Sequence, residues 1–239
     1  MQELIKANEH FKNEIDWLTT YHHFSFGEYY NPEKHDYAPL RVFNDDVIKA
    51  DTGFEFHQHK DMEIVTYVIE GALRHRDNLG NNGIIEAGEI QRMTAGTGVF
   101  HAEHNASKTK SLRLLQMWVY PDKKGLHPSW QQKKYTQEDR KNKLLQVIGP
   151  MNNHPGSELS IHQNALFYIS SLDSGKKVEH ILESGRKAYL FVIDGKISMN
   201  GKIMETQDAA KIENTNAIYI EAQKTTELIL INLPEKYIQ

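Results

Sequence analysis

Cysteine is absent from all 239 residues of this chain, which excludes disulfides, thiolate zinc sites, iron–sulfur clusters and cysteine nucleophiles together. Any metal bound here has to be held by histidine, carboxylate or water. Charge of one sign is missing too: 28 Lys and Arg stand against 32 Asp and Glu, a net charge of −4, with the signs mixed along the chain. Without a basic footprint for a phosphate backbone, direct nucleic-acid binding is not expected. No apolar run approaches the roughly 18 residues of a membrane span, and Glu3, Lys6, Glu9 and Lys12 interrupt the opening segment where a signal peptide needs an apolar stretch. The expectation is a soluble, unprocessed, cytoplasmic protein that does not engage a membrane. A mean hydropathy of −0.62 and 25% charged residues suit a monomer, the expected state.

Long amphipathic helices are lacking as well, and short β-rich runs alternate with turn signals in their place. Residues 63–69 run into Glu70-Gly71, residues 78–83 form a polar turn, Ala87-Gly88 and Ala95-Gly96-Thr97-Gly98 break further runs, and residues 112–120 make another. Breaks every 8–12 residues or so favour an all-β sandwich or barrel over βαβ units. Thr136-Gln137-Glu138-Asp139 resembles the capped start of a short helix, inside a Lys-, Gln- and Glu-rich stretch from Lys123 to Lys143 with the composition of a connector. Beyond it the pattern recurs: Val68-Ile69-Glu70-Gly71 is echoed by Val192-Ile193-Asp194-Gly195, and residues 114–121 by residues 228–234. The length suits two compact domains, and the expected division is a first β unit over residues 1–125, a connector over 126–145 and a second β unit over 146–239.

Histidine is plentiful, and ten of the 13 lie in the first 127 residues. In Gly53-Phe54-Glu55-Phe56-His57-Gln58-His59 the two histidines are two apart, so a strand presents both imidazoles on one face. Alone this is weak, because chance supplies roughly 0.7 such pairs in a chain of this composition. In Met93-Thr94-Ala95-Gly96-Thr97-Gly98-Val99-Phe100-His101-Ala102-Glu103 a small-residue turn delivers His101 and Glu103 onto a strand, again on one face. Three imidazoles and one carboxylate from two strands suit a borderline divalent metal with coordination positions left open. Glu63 shares strand parity with His57 and His59 if no bulge intervenes, and stands as a rival ligand to Glu103. His104 is expected to face away. His75 and Asp77, in Arg74-His75-Arg76-Asp77, read first as an exposed turn and second as hydrogen-bond support for the ligands. The three histidines of the second half, His154, His162 and His180, are scattered, so only the first unit is expected to hold a site.

These residues resemble the pirin family of the cupin superfamily, and in particular bacterial pirin-like proteins similar to quercetin 2,3-dioxygenases. The resemblance is carried by His23-Phe24-Ser25-Phe26, Leu40-Arg41-Val42, Gly53-Phe54 with His57-x-His59, Glu63-Ile64 with Thr66-Tyr67, Glu70-Gly71, Met93-Thr94-Ala95-Gly96-Thr97-Gly98 and His101-x-Glu103. It implies a bicupin: two tandem β-barrels of the double-stranded β-helix or jelly-roll type with short helices. It also implies one metal, in the N-terminal barrel only, on His57, His59, His101 and Glu103 rather than Glu63. Fe(II) is the ion associated with the family, with Mn, Ni, Co, Cu and Zn as other candidates. The implied activity is metal-dependent cleavage of a flavonol such as quercetin by O2 with release of carbon monoxide, Glu103 serving as catalytic base, as ligand, or as both. Phe24, Phe26, Phe56 and Trp118 are candidate walls for such a substrate, although each such aromatic is more often simple core in a β-barrel. The competing implication is a metal-bearing regulator that binds a protein partner, with quercetin turnover incidental.

Overall fold

The computed structural model describes residues 2–151 and 159–237; His154 lies outside them. Nearly every element is an antiparallel strand, and contacts divide the chain into two units. One gathers residues 11–135 with 161–163, the other residues 2–10, 136–151, 159–160 and 164–237.

In the first unit a seven-stranded sheet runs in the order β12 (Ser129–Lys134), β9 (Glu89–Thr94), β6 (Glu63–Glu70), β11 (Leu112–Val119), β4 (Leu40–Ile48), β3 (Leu18–His22), β2 (Phe11–Glu14). A four-stranded sheet runs β5 (Gly53–His59), β10 (Val99–Asn105), β7 (Ala72–Asp77), β8 (Asn82–Glu86). Leu18, Ile48, Val68, Leu112 and Leu114 from the large sheet pack on Leu73 and Ile85 from the small one. This is the two-layer burial that a jelly-roll barrel requires.

The second unit repeats the arrangement strand for strand. Its large sheet runs β1 (Gln2–Ile5), β20 (Ala209–Ile212), β17 (Arg186–Asp194), β22 (Thr226–Pro234), β15 (Leu166–Leu172), β13 (Leu145–Pro150), β14 (Leu159–Ile161). The small one runs β16 (Lys177–Ile181), β21 (Ala217–Ala222), β18 (Lys196–Met199), β19 (Lys202–Glu205). Its interior is filled by Leu190, Val192, Met199, Met204, Ile218, Leu228, Leu230 and similar side chains. The chain is therefore a bicupin, as the resemblance implied, and the two echoed segments are matching strands of a duplicated barrel.

The division differs from the one composition suggested in two respects. Residues 129–134, within the expected connector, are strand β12, paired residue for residue with β9. It is an edge strand, where lysine and glutamine discourage pairing with other chains, so its composition imitates a linker. Residues 2–10 belong with the C-terminal unit, because β1 pairs with β20 from Gln2↔Ile212 to Ile5↔Ala209. The short helix α1 (Gln137–Arg140) begins as expected: the Thr136 side chain accepts from the Asp139 amide and Asp139 returns the bond. Among the described residues no helix is long and apolar enough to cross a membrane.

Candidate metal centre

The small sheet of the first unit brings the three histidines together. His101 on β10 is the direct cross-strand partner of His57 on β5, while two residues along β10 Glu103 pairs with Phe54. Two steps on β10 thus match three on β5, a bulge at Glu55–Phe56 that sits beside the ligands, as such bulges often do. His57 and His59, C-terminal to it, keep strand parity, and Phe54 turns to the same side. His57, His59 and His101 present ring nitrogens all within 4.8 Å of one another.

Hydrogen bonds fix the tautomers of two of them. His57 Nδ1 lies 2.7 Å from the Glu55 carbonyl, which only accepts, so Nδ1 carries the proton and Nε2 a lone pair. His75 Nε2 lies 3.4 Å from Asp77 Oδ2 and His75 Nδ1 lies 3.5 Å from His101 Nδ1. One donor per contact is obtained when His75 donates to Asp77 and accepts from His101, which leaves His101 Nε2 unprotonated; the assignment follows the network. The two free Nε2 atoms stand 3.1 Å apart. Facing lone pairs at that distance repel unless a cation joins them, so the residues present fit a divalent ion. Burial, the largest influence, pushes His59 down to about 3 and His101 to about 4, with the neighbouring histidines adding to it. Both rings are then neutral near pH 7, the form a metal binds.

Glu103 is held from both sides. The Trp130 indole donates to Gln91 Oε1 at 2.8 Å, which turns the Gln91 amide nitrogen toward Glu103 Oε1 and toward Thr66 Oγ1 at 3.1 Å. Thr66 donates to Gln116 Oε1 at 3.1 Å, and Gln116 Nε2 donates to Glu103 Oε2 at 3.0 Å. Burial alone would raise this carboxyl, but His75, His101 and His57 outweigh it and hold it at about 2. Glu103 offers an oxygen within 4.8 Å of nitrogens on His75 and His101.

A cavity of about 270 Å³ opens beside these groups, at the small end for a small-molecule site. Leu18, Phe26, Phe54 and Trp118 give it apolar walls, and His57, His59 and Glu103 reach it, as does Asp46. The Trp118 ring meets His59 edge-on at 4.7 Å and Phe26 at 5.2 Å. Asp46 is buried, and that burial pushes its carboxyl up to about 7.

Several sequence expectations change here. Glu63 lies on β6, beyond a turn where Asp61 has φ 49°, and the parity linking it to His57 is broken. Its carboxylate accepts from Thr94 Oγ1 at 2.9 Å and meets His162 Nδ1 at 3.2 Å, away from the three histidines. His75 and Asp77 are buried inward residues of β7, not an exposed turn. The alternating burial of Leu73, His75 and Asp77 between exposed Arg74 and Arg76 is a strand signal in the sequence itself. His104 faces the exposed Glu55 at 3.3 Å. Phe26 and Trp118 line the cavity, whereas Phe24 is core at 1% exposure and Phe56 is 52% exposed. Gln91, Gln116 and Asp46 had no local signal, since only the folded sheets bring them to the site. In the C-terminal unit His180 Nε2 pairs with the Asn232 amide at 2.9 Å, and its described residues hold no ligand cluster.

Comparison with known proteins agrees over nearly the whole chain. The sequence profile of the pirin family matches residues 4–119, and that of the quercetinase C-terminal cupin domain matches residues 147–233. A protein of Escherichia coli (strain K12) named quercetin 2,3-dioxygenase is 38% identical over 231 residues, covering 97% of this chain and 98% of its own. A pirin-like protein of Caulobacter vibrioides is 38% identical over 216 residues, covering 90% of this chain and 92% of its own. The crystal structure of the bacterial pirin YhhW from Escherichia coli in complex with nickel(II) superposes with a TM-score of 0.93 at 37% identity, over 99% of this chain and all of that one.

Proposed function

Because this chain belongs to the pirin family, we propose that its N-terminal barrel binds one divalent metal ion through His57, His59, His101 and Glu103 and acts as a dioxygenase on a flavonol such as quercetin. The reaction is 2,3-dioxygenation with opening of the heterocyclic ring and release of carbon monoxide. The observation that carries this reading is the cluster of His57, His59 and His101 ring nitrogens within 4.8 Å of one another, two of them 3.1 Å apart, beside an apolar-walled cavity. The activity in the name of the Escherichia coli relative and the nickel(II) in the YhhW crystal support it.

A divalent ion supplies the charge that favours a deprotonated enolic oxygen, and a redox-active one such as Fe(II) supplies reactivity toward O2. The chain's own side chains do the rest. Leu18, Phe26, Phe54 and Trp118 enclose a planar ring system and keep water from it. His75, anchored on Asp77, holds the His101 tautomer that leaves Nε2 free. Glu103, with each oxygen bonded to a glutamine amide and its carboxyl held near 2, is suited to serve as a fixed anionic ligand and is a poor proton acceptor near neutral pH.

The test is aerobic quercetin consumption with carbon monoxide detection, using metal-free protein reconstituted separately with Fe(II), Mn(II), Ni(II), Co(II), Cu(II) and Zn(II). Metal-dependent turnover is expected, and His57→Ala is expected to abolish it together with metal binding. Stoichiometric binding of an ion with no turnover by any of the six overturns the dioxygenase reading and leaves a metal-bearing regulator as the alternative.

A further inference from the structure

Three polar atoms of the cavity lining are buried and have no hydrogen-bond partner among the described residues: Thr20 Oγ1, Asp46 Oδ1 and Trp118 Nε1. Asp46 is only 4% exposed. Buried acceptors and donors are seldom left unmade, because an unpaired one keeps the whole cost of having lost water. They differ in kind: a carboxylate oxygen accepts, an indole N–H only donates, and the Thr20 hydroxyl, opposite Asp46 on the neighbouring strand, does either. They also differ in place. Asp46 pairs with Leu114 and Trp118 with Val42, so their backbones stand four residues apart along adjacent strands, roughly 13 Å. The apolar walls and His57 and His59 line the same cavity.

On the reading of this cavity as the substrate site, we propose that Asp46 selects the substrate by accepting a hydrogen bond at Oδ1 from a ring hydroxyl of an elongated planar aromatic, while Trp118 Nε1 donates to an oxygen elsewhere on the same molecule. Glu103 is taken by the metal on this reading, with Gln91 and Gln116 bonded to its two oxygens, which leaves Asp46 as the other carboxyl of the cavity lining. A hydroxyl donor satisfies Asp46 Oδ1 where an unsubstituted ring leaves it with only the Thr20 hydroxyl across the strand pair. Sites that hydrogen-bond a substrate hydroxyl reject the analogue lacking it far more strongly than apolar pockets separate similar shapes.

The experiment measures binding of quercetin and of flavone, the same skeleton without hydroxyls, to the Zn(II)-loaded protein by tryptophan fluorescence and calorimetry. Metal content and thermal midpoint of each variant are checked first. Asp46→Leu is expected to weaken quercetin by about tenfold or more and to leave flavone unchanged or tighter. Asp46→Asn, which keeps an acceptor without the charge, is expected to fall between Asp46→Leu and the wild type. Trp118→Phe keeps the ring, removes the donor, and is expected to weaken both ligands, since both carry the ring carbonyl. Equal losses for quercetin and flavone in Asp46→Leu, or no loss for either, overturn the proposal. If Asp46→Leu does not fold, Asp46→Asn decides: unchanged quercetin affinity overturns the proposal, and a loss confined to quercetin supports it. Turnover is followed separately with the active ion. Discrimination through Asp46 without turnover by any metal form leaves this inference standing and sinks the dioxygenase reading. Turnover and binding indifferent to Asp46→Leu do the reverse.

Discussion

His101 shows in one side chain how the fold prepares for a cation and what that costs without one. At 1% exposure it is held at about 4, against about 6.5 in an unfolded chain. Between those values the unfolded state binds the extra proton, so the histidine's contribution to stability is intact above about pH 6.5 and shrinks as the pH falls toward 4. Asp46, raised to about 7, acts in the opposite sense over the same window. The difference between metal-free wild type and His101→Gln therefore isolates the histidine. In denaturant titrations the wild type is expected to lose up to about 1.4 kcal/mol per pH unit more than the variant between pH 6.5 and 4, and nothing extra above pH 7. Parallel curves would show that His101 is not held neutral. At this scale the sequence was legible wherever strand parity was enough. His57 with His59, and His101 with Glu103, share a face because they are two apart, and the structure draws the three histidines together. Glu63 stood as a rival ligand only if its strand parity with His57 held, and that parity does not survive the positive φ of Asp61. Asp46, Gln91 and Gln116 reach the site from strands remote in sequence, so nothing local marked them.

Among the elements, the pairing of β5 with β10 sets the geometry of the centre, and at Gly53 a side chain would run into the backbone of β10. A Cβ at Gly53 would lie 2.3 Å from the Glu103 carbonyl oxygen and 2.5 Å from the His104 Cα, both backbone atoms that cannot swing aside. Gly53→Ala is expected to push β10 away at Glu103, destabilise the protein by about 1–3 kcal/mol and weaken metal binding, as seen by thermal unfolding and a competitive chelator titration. Unchanged metal affinity would show that the β5–β10 spacing at Glu103 does not govern the site. The strand pattern itself was largely readable, since turn chemistry at Gly71, Gly88 and Gly96–Gly98 separates β6, β7, β9 and β10. Two strands escaped for one physical reason: outward faces rich in lysine, glutamine or arginine made β12 resemble a linker and β7 a turn. Pairing with a neighbour, not composition, makes them strands.

At the scale of the whole molecule, each large sheet ends in a strand that lies outside the central run of its own barrel: β12 follows all the other strands of the first unit, and β1 precedes all those of the second. The β1–β20 ladder holds the second arrangement, and Asp208 adds to it, meeting Lys6 Nζ at 2.7 Å through Oδ2 and accepting from the Ala7 amide at 2.9 Å through Oδ1. Deleting residues 1–10 removes these two partners of the buried Asp208 and leaves it the Glu205 amide at 3.0 Å. The expected result, read by hydrogen exchange, is faster exchange over residues 209–212 with residues 89–94 still protected and metal stoichiometry unchanged; loss of protection in both strands would contradict the assignment of β1 to the C-terminal sheet alone. The exchange also sets an order in time. A ribosome adding about 5–20 residues per second finishes Ile5 roughly ten to forty seconds before Ala209, its partner, exists. Through that interval β1 has no sheet to join, and the charges of Glu3 and Lys6 are what discourage it from pairing with a neighbouring nascent chain.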